Sequence, residues 1–93
     1  MKYILQQNLK TKTKDIESFP SMGVALMSAK NQYGLRLDHI SYFGTFPVFY
    51  NEKGRPFLIT LQHESGLMCS PSKEDREIID NFAKACGISV SVK

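Results

Sequence analysis

Cysteine is scarce in this 93-residue chain: there are two, Cys69 and Cys86, far apart. That excludes a disulfide framework and a zinc knuckle, both of which need several thiols at fixed spacings. Long apolar runs are missing too. No stretch approaches the roughly 18 apolar residues that a membrane-spanning helix needs. Gln6, Gln7 and Asn8 follow Met1–Leu5 too soon for a secretory leader. The expectation is a cytoplasmic protein with reduced thiols, Cys86 serving as a small core residue. There is no G-x-x-x-x-G-K phosphate loop, dinucleotide fingerprint, zinc spacing or serine nucleophile elbow. No cofactor and no metal is therefore expected.

What is present fits one domain spanning residues 1–93. Hydrophobic residues make up 42% of the chain, and six Phe with four Tyr supply wide side chains for a small core. The formal charge of +3 is mild, but it is unevenly spread. Lys2, Lys10, Lys12 and Lys14 all precede the first acidic residue, Asp15. They read as a solvated segment, as a phosphate contact surface, or as a patch that steers an acidic protein partner.

The C-terminal half carries the clearest local signals. Phe46–Tyr50 and Arg55–Leu61 are aromatic or β-branched runs joined by Asn51-Glu52-Lys53-Gly54, which suits a hairpin turn with Gly in the left-handed region. Pro47 and Pro56 belong at strand ends or at an edge, because they cannot donate to a ladder. Leu67-Met68-Cys69 reads as one more short extended piece. Ser72 as N-cap with Asp75 three residues on announces a helix to Ala85 or Cys86. Its apolar stripe is Ile78, Ile79, Phe82, Ala83 and Cys86. Gly87 then closes the helix, and Ile88–Val92 alternates as a final half-buried strand.

The N-terminal half is read as an opening strand at Lys2–Leu5 and a flexible polar segment at 6–14. A turn of helix is expected within Asp15–Phe19. Met22, Ala25, Leu26, Ala29 and Tyr33 at i, i+3, i+4, i+7 and i+11 predict a helix capped by Ser21, with a strand at Gly23–Ser28 as the competing reading. Leu35–Phe43 reads as a strand. The fold class is α+β, a small mostly antiparallel sheet packed against one or two helices, in the order β-α-β-β-β-α-β. The central α-β-β-β-α resembles double-stranded RNA-binding domains and related small RNA-cleaving toxins in element order. That family's basic cluster at the second helix is not met, since Ser72-Lys73-Glu74-Asp75 places two acids beside one lysine.

Three functions compete. The leading one is a small non-enzymatic regulatory or inhibitory protein that binds a protein partner, a second copy of itself included. Its surface would be an aromatic sheet face with the hairpin: Tyr42, Phe43, Phe46, Phe49, Tyr50, Asn51 and Arg55. The second is an RNA- or DNA-binding module using Lys10, Lys12, Lys14 and Arg55. The third is a metal-independent ribonuclease with His39 and His63 as base and acid, which requires both imidazoles near one phosphate. Because neighbours on a strand point to opposite faces, Asp38 is not expected to orient His39.

Overall fold

The structure, a computed structural model, describes residues 2–9, 11–41 and 46–88. Its elements are β1 (Lys2–Asn8), β2 (Thr13–Phe19), α1 (Met22–Asn31), β3 (Arg36–Ser41), β4 (Phe46–Tyr50), β5 (Pro56–Gln62), β6 (Met68–Cys69) and α2 (Lys73–Ala85). The strands form one antiparallel sheet in the order β2-β1-β5-β4-β3, and β6 pairs with β5 beyond the end of β4. The α+β class and antiparallel sheet expected from the sequence are therefore present.

Both helices lie on one face of the sheet. Leu5, Leu37, Phe49 and Ile59 from four strands share a buried cluster with Met22, Ala25, Leu26 and Ala29 of α1 and Ile79 and Ala83 of α2. The spacing of those α1 residues is the predicted stripe, and the helix reading of 21–33 is the one that holds. Ser21 caps α1 by accepting from the Val24 amide at 3.3 Å. Ser72 caps α2 by accepting from the Asp75 amide at 3.2 Å. At its far end Gly87 adopts φ 78°, the left-handed region that favours glycine. The Ile88 amide then reaches Ala83 O and the Gly87 amide reaches Lys84 O, a Schellman closure. Ile78, placed on the apolar stripe by periodicity, is instead 40% exposed. It sits at the margin of a stripe that Ile79 and Ala83 centre.

The N-terminal expectation needs correcting. Parts of the expected flexible segment are strand, and Asp15–Phe19 is not helical. Gln6–Asn8 continue β1, and Thr13–Phe19 form β2, its hairpin partner. The cause is tertiary: β1 is paired on both sides, by β2 and by β5, so its polar residues are held by neighbours rather than by propensity. Gln6 is buried and donates its amide to Asp15 Oδ1 at 2.8 Å. A β-bulge between Leu5 and Gln6 leaves Ile16 unpaired on β2. The described order thus gains β2 over the expectation, and the short extended piece expected at Leu67-Met68-Cys69 is β6. Ile88–Val92, the expected final strand, lies outside the described residues except for Ile88. Pro56 opens β5, and Pro47 sits where β4 pairs with β3 alone, so neither interrupts a two-sided ladder.

Candidate functional site

Register divides the sheet into two unlike ends. At one end stand the β1–β2 turn, the Asn51–Arg55 turn between β4 and β5, and the loop from α1 into β3. At the other stand the first turn of α2, tied to Tyr3 at the start of β1, and the His63–Gly66 turn between β5 and β6. Lys12, Lys14, Arg36, Lys53 and Arg55 are exposed at the first end. The second end carries Glu64, Glu74, Asp75 and Glu77 alongside Lys2, Lys73 and Arg76. Lys10 lies outside the described residues.

The aromatic residues separate by face. Phe49 is fully buried against the helices and meets Phe82 with ring centroids 6.3 Å apart, so it belongs to the core and not to an accessible surface. Alternation along β4 decides this, because Phe49 shares its row with Leu37 and Phe57 on the helix side. Phe46 and Tyr50 point to the opposite face and are half-buried. Tyr42 and Phe43 lie outside the described residues. Asn51 is a turn residue: its Oδ1 accepts from the Lys53 and Arg55 amides, both at 2.9 Å, while Gly54 takes φ 75°.

The histidines are placed apart. His39 lies in the row of Val48 and Leu58, two strands from β5, whereas His63 follows the far end of β5. Strand spacing and rise put them roughly 15–20 Å apart. That is well beyond joint reach of one phosphate, so the paired-histidine mechanism has no geometry to work with. The expectation about Asp38 was wrong. Register slips between Leu37 and His39, and the extra residue is Asp38. The bulge suspends alternation there and lets Asp38 Oδ2 contact His39 Nδ1 at 2.7 Å. This pair is about half exposed, and it gives β3 a charged, bulged outer edge. His63 has a turn role resembling that of Asn51, with Nδ1 3.5 Å from the Ser65 amide.

Two tyrosines, of which the sequence marked only Tyr33 and only as part of the α1 stripe, join helices to the first hairpin. Tyr3 donates to Asp75 Oδ2 at 2.6 Å, and Asp75 is itself buried. Burial first, then the bond to this carboxylate, pushes the Tyr3 hydroxyl up to about 12. Tyr33 donates to Glu17 Oε1, which raises its pKa chiefly through that hydrogen bond. The contact was illegible in sequence because Tyr3 and Asp75 are 72 positions apart.

The most exposed large apolar residues are Leu67, at 72%, and Met68, at 58%. Both follow the His63–Gly66 turn, in which Gly66 has φ 89°. Met68 pairs with Gln62, which pairs with Lys2, placing all three on the helix-free face. Among the described residues no group of three or more His, Cys, Asp or Glu is arranged to hold a metal ion. Among the described residues no helix is long and apolar enough to cross a membrane. No protein-family model, curated protein or solved structure matches the chain.

Proposed function

We propose that this chain is a small non-enzymatic regulatory or inhibitory protein that acts in the cytoplasm by binding a protein partner. The observation that carries the reading is the adjacent exposure of Leu67, just before the two-residue strand β6, and Met68, its first residue, at the sheet margin. Large apolar side chains held this open gain when a partner removes them from water. Met suits such a surface because its unbranched, polarisable side chain adapts to the facing shape. Phe46 lies on the same helix-free face and extends the surface onto the start of β4. Binding there would act by steric occlusion of whatever the partner otherwise engages.

The test is capture of partners from a cell extract on the intact chain, paired with solution mass measurement. Leu67→Glu with Met68→Glu should abolish capture, or return a self-associated species to monomer. Melting temperature should stay close to that of the parent, because neither residue is in the core. Retention of the same partner by the double variant would sink this reading.

A further inference from the structure

We infer that the turn end of the sheet is a binding surface for the phosphate backbone of a nucleic acid, distinct from the Leu67–Met68 surface. Three separate chain segments converge there to supply cations. Lys14 stands near the start of β2, Arg55 immediately precedes β5, and Arg36 opens β3. In the order β2-β1-β5-β4-β3 these three occupy every second strand, so they are spaced about 10 Å apart over a stripe of about 19 Å. Lys12 and Lys53 extend the stripe outward from the two turns. All five are exposed, and among the described residues none has an acidic partner at ion-pair distance.

The nearby carboxylates Asp15, Glu17 and Asp38 keep their charge, but each is held by a neighbouring side chain. Asp15 accepts from Gln6, Glu17 from Tyr33, and Asp38 contacts His39. Glu52 is the exposed acid within the turn itself. A polar cleft of about 390 Å³ runs between this turn and the α1–β3 loop, lined by Tyr33, Asn51, Lys53 and Arg55 among others. Lys53 and Arg55 line that cleft while Lys12, Lys14 and Arg36 stand around the same end, and cations spread this widely match a chain of repeated phosphates better than a single small anion. The acidic start of α2, which repels nucleic acid in the order-based resemblance, is at the opposite end beside Tyr3. It therefore does not oppose binding here. The fold turns a mild net charge into a polar molecule with one basic end.

The test measures anisotropy of labelled single-stranded RNA and DNA 20-mers, with polyglutamate as a third probe, on the full chain across a salt series. Micromolar to sub-millimolar affinity at low salt is expected. With four to five contacts on a single strand, log K should fall against log salt with a slope of about −2.8 to −3.5. Lys14→Ala, Arg36→Ala and Arg55→Ala should each reduce that slope by about 0.7, whereas Lys73→Ala at the other end should leave it unchanged. Arg36→Lys and Arg55→Lys should retain it, which separates lost charge from lost structure. The RNA and DNA arms decide which polymer is preferred. A slope near zero, a triple variant that binds as the parent does, or polyglutamate bound as tightly as either nucleic acid would overturn the inference.

Discussion

Tyr3 and Tyr33 each donate to a carboxylate that joins a helix to the first hairpin, yet they do so in different surroundings. Tyr3, on β1, reaches Asp75 in the first turn of α2, and Asp75 is only 9% exposed. Tyr33, just past α1, reaches Glu17 on β2, and both are half-buried. The same pair of groups is worth more where water cannot compete for it, because an orphaned partner then has nothing to bond with. The Tyr3–Asp75 contact thus sets how firmly α2 is held. The Tyr33–Glu17 contact chiefly sets where the α1–β3 loop rests.

The sharpest way to break the comparison is Asp75→Ala. It leaves the Tyr3 hydroxyl without its acceptor and removes a carboxylate from the positive end of α2, for an expected loss of about 2–4 kcal/mol in denaturant unfolding. Tyr3→Phe removes only the donor and should cost about 1.5–3 kcal/mol. Alkali tests the same contact without mutation. The folded-state pKa of Tyr3 stands near 12, above its ordinary value of 10. Ionisation is therefore harder in the folded chain than in the unfolded one. The stabilisation is complete below pH 10 and is lost as the pH rises through about 12. A plot of unfolding free energy against pH should fall across that window in the parent and much less in Tyr3→Phe. An identical fall in both would refute the assignment. Tyr33→Phe should cost only about 0.5–1 kcal/mol, since solvent replaces much of what is removed.

These contacts also show where sequence reading stops. Features set within a few residues were legible: the Ser21 and Ser72 caps, the α1 stripe, Gly87, and the Asn51–Gly54 turn with its left-handed glycine. Each depends on backbone groups one turn away. Features set by pairing were not. Gln6-Gln7-Asn8 and Thr13-Lys14-Asp15 look like loop until β5 is known to lie against β1. A bulge places Asp38 on His39, and nothing in the local composition announces a one-residue slip. The functional surface divides in the same way. Lys12, Lys14 and Arg55 were identified as cations, but only strand order brings Arg36 and Lys53 beside them. Phe49 was aromatic and on a strand, but which face it took required the row of Leu37 and Phe57.

The finest distinction between the two tyrosines is spectroscopic. For Tyr3 burial is the larger cause of the raised pKa, and the bond to Asp75 comes second. For Tyr33 the order is reversed, with the bond to Glu17 first. Replacing each carboxylate by its amide removes the charge and puts an N–H donor within reach of the ionised phenolate, so the two variants should respond unequally. Glu17→Gln should bring Tyr33 most of the way back toward its ordinary value while barely moving the unfolding midpoint. Asp75→Asn should lower Tyr3 only part of the way, because the ring stays buried and its ionised form stays poorly hydrated. Tyrosinate absorbance across an alkaline titration reads both, with Tyr3→Phe and Tyr33→Phe assigning the transitions. If Asp75→Asn restored Tyr3 fully, the carboxylate and not the burial would be holding its proton. The buried contact would then differ from the exposed one in degree alone.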